Sequence, residues 1–158
     1  MRILLSAPSQ AGHLNPILGI ALQAKQLGHD VLVAAAESTR TRLDALDLPL
    51  HAAGADMDDP DIQAFVRSDR VNAPGAMNMF FGLTAGKAFD SLAEAIEAFR
   101  PDLVVSSAFD LAATVLAERA GVRLAVFGFA GTVASEHVAR NLAPARQQVR
   151  HDLPEEHG

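Results

Sequence analysis

The fold is decided by Arg2–Ala34, RILLSAPSQAGHLNPILGIALQAKQLGHDVLVA. Its first six residues, RILLSA, form an apolar run of the kind that fills a strand buried on both faces of a parallel sheet. Asn15 is a good helix N-cap and Pro16 suits a first helical position, so the sequence predicts a helix starting there. Ile17, Ile20, Ala21, Ala24 and Leu27 then recur at helical spacing. Gly28 ends the run as a left-handed C-cap would, and Val31–Ala34 is a second buried strand. The stretch is one β-α-β unit, whose crossover should be right-handed. His13 falls between strand and helix, two residues ahead of the expected cap. That place is poor for packing and good for chemistry.

The same alternation continues along the chain. Ser38–Leu46 reads as a helix capped by Ser38 or Thr39, and Leu50–Ala53 as a weak strand. Asp56–Asn78 reads as irregular. Thr84–Phe99 carries Phe89, Leu92, Ala93, Ile96 and Phe99 on one helical face. Leu103–Val105 is a strand, Leu111–Ala120 a helix closed by Gly121, and Leu124–Gly128 a strand. Repeated strand–helix alternation predicts an α/β fold with a doubly wound, Rossmann-like parallel sheet. Thr132–Leu142 reads as one more helix. The expected division is a domain over residues 1–142 and a polar tail or linker over 143–158, where PARQQVRHDLPEEHG shows no apolar period.

Bulk composition narrows the function. The 158 residues suffice for one domain with a core of its own. With 49% apolar and 20% charged residues, the chain reads as an ordinary soluble protein. Its formal net charge of −6 and the absence of a basic, aromatic-interleaved stretch argue against a nucleic-acid partner. There is no cysteine, which excludes disulfides, thiolate catalysis and cysteine-ligated zinc. No signal peptide or bilayer-long apolar run is evident, so a cytoplasmic address is expected.

In open α/β sheets, ligands bind beyond the carboxyl ends of the strands. The loop Ser6–Leu14 lies at that edge. It has neither the G-x-G-x-x-G of dinucleotide binding nor the G-K-[ST] of a P-loop. Gly12 would permit a bend or the close approach of a ligand. His13 would sit at the positive end of a helix dipole, which lowers an imidazole pKa and suits a general base. A loop histidine with no chemical role is the plain alternative.

Ala11–Ala35, AGHLNPILGIALQAKQLGHDVLVAA, closely resembles the opening of nucleotide-sugar-dependent glycosyltransferases of the GT-B fold. It is most similar to the family 1 bacterial enzymes that glycosylate natural products. The core is Gly12-His13-x-Asn15-Pro16; Pro101–Val105 (PDLVV) and Ala112–Gly121 (AATVLAERAG) also resemble that family's fourth strand and next helix. The resemblance covers about the first 130 residues and implies the acceptor-binding N-terminal half of a GT-B enzyme. It implies His13 as the base that deprotonates an acceptor hydroxyl, with inversion at the sugar. It also implies a carboxylate on the other imidazole nitrogen, near Ser107. Ser107 is not a carboxylate. Asp110 either substitutes for it or simply caps the following helix.

The resemblance further implies that an acceptor would sit at the His13 edge. Asn72–Leu83 (NAPGAMNMFFGL) is rich in adaptable Met and flat apolar Phe. Met77, Met79, Phe80 and Phe81 either line such a pocket or begin the long helix and cover the core; Phe129 and Thr132 would complete it. No metal site is expected: the histidines lack ligand spacing, and in Asp56–Asp61 (DMDDPD) a proline stands where a calcium ligand is needed. No cofactor is expected, only a dTDP- or UDP-sugar co-substrate. The family's glycine-rich H-C-G and D-Q donor motifs do not occur in the sequence, so the expectation is inactivity without a donor-binding half or partner chain. A non-catalytic helper module that pairs with a partner subunit is the alternative.

Overall fold

The computed structural model describes residues 1–68, 75 and 78–128. The expected helix at Thr132–Leu142 and tail at 143–158 lie outside these residues. Five strands form one parallel sheet: β1 (Arg2–Ser6), β2 (Asp30–Ala35), β3 (Leu50–Ala52), β4 (Leu103–Ser107) and β5 (Arg123–Phe127), in the order β3-β2-β1-β4-β5. Helices α1 (Ala11–Gln26), α2 (Arg40–Ala45), α3 (Pro60–Val66), α4 (Ala85–Phe99) and α5 (Leu111–Arg119) connect them. This is the doubly wound α/β architecture expected from the sequence.

The central strands β1, β2 and β4 feed both faces, as the period of two requires. Ile3, Leu5, Val33 and Val105 pack with Leu14, Ile17 and Ala21 of α1 and Leu43 of α2. Leu4, Ala34 and Val104 pack with Leu92, Ala95 and Ile96 of α4 and Ala112, Ala113 and Leu116 of α5. At the carboxyl ends Ser6 pairs with Ser106, one residue before Ser107. Alternation therefore turns Ser6 and Ser106 toward α4 and α5, and Ser107 toward α1.

Helix α1 begins five residues before the expected start. Its N-cap is Gln10, and the Gln10 carbonyl accepts from the His13 and Leu14 N–H groups. Pro16 therefore lies inside the helix. An interior proline costs about 3 kcal/mol. Burial of Leu14, Ile17 and Leu18 stabilises the helix by about 1.5–3 kcal/mol each, and all three are at most 3% exposed. The apolar stripe that starts at Leu14 outweighs the proline. Leu27, expected on that stripe, is 75% exposed. At the other end Gly28 is left-handed at φ +80°. The Gly28 N–H donates to the Lys25 carbonyl and the His29 N–H to Ala24, the paired bonds of a Schellman cap.

Two further expectations are corrected. The segment 56–78 is not irregular throughout: Asp59 caps α3, accepting from the Asp61 and Ile62 N–H groups, with Pro60 at its first position. Asp59 and Asp61 also flank Lys87 at 3.0 and 2.8 Å. The expected helix at 38–46 is a 3-10 turn, Glu37–Thr39, leading into α2. Neither Ser38 nor Thr39 caps it by a side chain; the Thr39 hydroxyl donates instead to the Ala36 carbonyl.

Candidate active site

The order β3-β2-β1-β4-β5 reverses direction between β1 and β4, and a crevice opens at such a switch point. The segments leaving β1 and β4 are Ala7–Gln10 and Ala108–Asp110. They bring His13, Ser107 and Asp110 to one edge of the sheet.

His13 occupies the third position of α1 rather than a loop before its cap, and is 8% exposed. Its Nδ1 lies 3.1 Å from the Ser107 Oγ. The Phe109 N–H also donates to that oxygen, at 3.4 Å. Phe80 and Phe109 frame the imidazole, with ring centroids at 5.0 and 5.3 Å. The two phenylalanines meet edge to face at 5.2 Å, and Phe81 stacks on Phe109 at 5.6 Å. Burial holds the His13 pKa below the ordinary imidazole value. The direction is the expected one, and its cause is desolvation.

Asp110 is the N-cap of α5, with Oδ1 accepting from the Ala113 N–H at 3.0 Å. Its Oδ2 accepts from the Ser6 hydroxyl at 2.6 Å. Both oxygens are thus directed at Ser6 and at the helix, and the side chain on the His13 ring nitrogen is Ser107. Burial pushes the Asp110 carboxyl pKa above its ordinary value, against the opposing pull of these two bonds.

Beside this pair lies a small cleft. Ser6 and Asp110 form its polar end; Ala34, Ala53 and Ala85 line its walls; Phe80 and Phe109 separate it from His13.

The other expected site residues are divided. Phe80 and Phe81 lie in the aromatic cluster. They leave a π-helical turn, Met79–Thr84, that leads into α4, and a wide turn of this kind often marks a functional site. Met79 is buried. Gly12 is helical and exposed, with open space where a Cβ would project, so it makes no bend in the chain. Met77, Phe129 and Thr132 lie outside the described residues. The sequence reading missed Phe109. Its signal was faint: one phenylalanine between a strand and a capping aspartate. Among the described residues no three His, Asp or Glu side chains converge as metal ligands would, and the His51 Nε2 meets the Ser91 carbonyl at 2.8 Å.

The doubly wound parallel sheet makes this a Rossmann-like domain, a fold that GT-B glycosyltransferases share. Solved structures with this fold include the glycosyltransferase SsfS6 of Streptomyces sp. SF2575 (TM-score 0.74, 20% identity, 98% of this chain and 48% of that one). Another is SnogD from Streptomyces nogalater (TM-score 0.73, 20% identity, 96% and 41%). A third is the spinosyn rhamnosyltransferase SpnG, in complex with thymidine diphosphate (TM-score 0.69, 16% identity, 97% and 42%). The chain spans less than half the length of each. Identities this low establish the fold. No protein-family model matches the sequence, and no curated protein matches it. Among the described residues no helix is long and apolar enough to cross a membrane.

Proposed function

We propose that this chain is the acceptor-binding half of an inverting glycosyltransferase, one that moves a sugar from a dTDP- or UDP-sugar to a hydroxyl of a hydrophobic natural product. The observation that carries the proposal is the buried His13, held at Nδ1 by Ser107 and framed by Phe80 and Phe109 at the switch point. The fold shared with SsfS6, SnogD and SpnG supports it.

In this reading the acceptor lies against the aromatic cluster with its hydroxyl toward His13. The imidazole, kept neutral by burial, takes the hydroxyl proton on Nε2. The oxygen attacks the anomeric carbon from the face opposite the nucleotide. The carbon–oxygen bond to the diphosphate breaks, and the nucleoside diphosphate leaves with the bonding electrons. Stabilisation of that leaving group falls to a donor-binding half, so the 158-residue chain by itself binds acceptor without transferring sugar. The uncharged Ser107 favours a second reading, a non-catalytic helper of the same fold that pairs with a partner subunit, because a hydroxyl stabilises an imidazolium less than a carboxylate does.

Calorimetric titration with aromatic polyketide and macrolide aglycones, and separately with dTDP- and UDP-sugars, tests the proposal. Aglycone binding that is weakened in Phe80→Ala, with no donor binding, is the expected result. Donor binding by this chain, or no aglycone binding, would overturn it.

A further inference from the structure

We infer that residues 54–66 are a lid over the small cleft, and that Lys87, clasped between Asp59 and Asp61, is its latch. The geometry carries the lid; that it admits one end of the acceptor rests on the acceptor-binding reading. As it stands the cleft offers about 30 Å³, room for one or two water molecules. A pocket for a drug-sized ligand measures about 300–1,000 Å³. A wall must therefore move before an acceptor enters.

The walls are unequally held. Ala34, Ala53 and Ala85 belong to a sheet core, whereas Gly54 and Ala55 belong to the segment beyond β3. Ala53 is still tied to the sheet, its N–H donating to the Ala35 carbonyl at 2.8 Å. Gly54, next to it, turns the chain at φ +85°. Of residues 54–66 only Ile62 is buried, and it joins neither of the two sheet cores. A segment with so few buried apolar contacts opens at low cost while the rest of the fold stays intact.

The contacts that close it are polar. The Ser38 N–H donates to Asp56 Oδ1 at 3.1 Å, and Gln10 Nε2 donates to the Met57 sulfur at 3.0 Å. Lys87 Nζ grips the segment twice, 3.0 Å from Asp59 Oδ2 and 2.8 Å from Asp61 Oδ2. Asp59 also caps α3, so the clasp holds that helix by its first turn. Lys87 itself stands on α4, which Leu92, Ala95 and Ile96 fix to the sheet. The latch thus joins the light wall to the firm one, and salt weakens such a surface clasp.

The chain has no cysteine, so Ala85→Cys puts a single thiol on the firm wall of the cleft. N-ethylmaleimide, neutral and larger than the closed cleft, reads its exposure. Modification should be slow with Lys87 present and about threefold or more faster in Lys87→Met. Lys87→Arg should keep it slow. About 0.5 M sodium chloride should speed the reaction when Lys87 is present and change little in Lys87→Met. Ala21→Cys, fully buried under α1, reports global unfolding and should react at one rate with or without Lys87. Ala53→Cys repeats the measurement if Ala85→Cys does not fold. A cleft thiol indifferent to both Lys87→Met and salt would overturn the inference. So would equal acceleration at Ala21→Cys, or a cleft thiol that reacts as fast as free cysteine. These rates need no ligand. Protection of the thiol by an aromatic polyketide aglycone then tests what the lid admits, so failure of the acceptor reading is distinct from failure of the lid.

Discussion

Two buried polar couples occupy opposite faces of the same sheet edge. On the α1 face His13 meets Ser107, at 3.1 Å. On the α4 and α5 face Ser6 meets Asp110, at 2.6 Å. Each joins a titratable group to a serine at the end of a central strand, and burial disfavours the charged form of both titratable groups. They differ in what surrounds them. Asp110 spends its oxygens on a serine and on the first turn of α5, which is structural work. His13 is surrounded by aromatic rings and has one ring nitrogen fixed by a neutral hydroxyl, a setting that suits proton transfer. The lesson is that burial alone does not mark the reactive group; the demands of its neighbours do.

The largest break in this comparison should come from His13→Ala. In an enzyme containing this half, the transfer rate is expected to fall about 10²–10⁴-fold, the usual worth of a general base, while the thermal unfolding of the chain remains cooperative. Progress curves at saturating acceptor would show it. Asp110→Ala should leave acceptor binding nearly intact and weaken the fold instead, by about 2 kcal/mol, since it removes a helix cap and the acceptor for the buried Ser6 hydroxyl. Urea denaturation gives the shift, and Asp110→Asn should recover most of it.

Phe109→Ala touches both faces, because that ring borders His13 and the cleft together. It should cost about 2 kcal/mol of stability, below the roughly 3–5 kcal/mol of a fully buried phenylalanine, because the residue is half-buried. It should also weaken aglycone binding about tenfold in the calorimeter.

The smallest effect lies in the pH dependence of stability. Below the ordinary imidazole pKa of 6.5, the unfolded chain takes up a proton at His13 that the folded chain resists. Stability therefore falls on acidification from there to the lower folded value. Asp110 runs the other way. Between the ordinary 3.8 and its raised folded pKa, the folded chain holds the extra proton, so acidification through that window stabilises. Urea midpoints from pH 7 to pH 4 should show the His13 loss disappear in His13→Gln and the Asp110 gain disappear in Asp110→Asn.

Much of the scaffold was legible in the sequence because the physics is local. The strands carry continuous apolar runs, and Gly28 and Gly121 stand where φ is positive. Errors arose where two local signals competed. Asn15-Pro16 is a good helix start, but burial of Leu14 at the sheet drew the first turn ahead of it. Asp59-Pro60 is a cap signature of equal quality, and the acidic, proline-containing stretch around it masked the short helix. The site was legible only in part. His13 stood out by its position. Its partner did not, since a contact between residues 94 positions apart depends on β1 and β4 being neighbours. Phe109 was hidden for the same reason, because nothing beside it in the chain shows that His13 and Phe80 converge there.

The π-helical turn at Met79–Thr84 has a consequence of its own. Such a turn holds about one more residue than an α-helical turn. Deleting that residue would relax the turn into ordinary helix and rotate whatever precedes it by about 100° around the axis. Helix α4 would keep its seat on the sheet through Leu92, Ala95 and Ile96, while Phe80 would swing away from the imidazole. The turn is thus a single-residue adjustment point: an insertion or deletion there re-aims the aromatic wall without changing the scaffold beneath it.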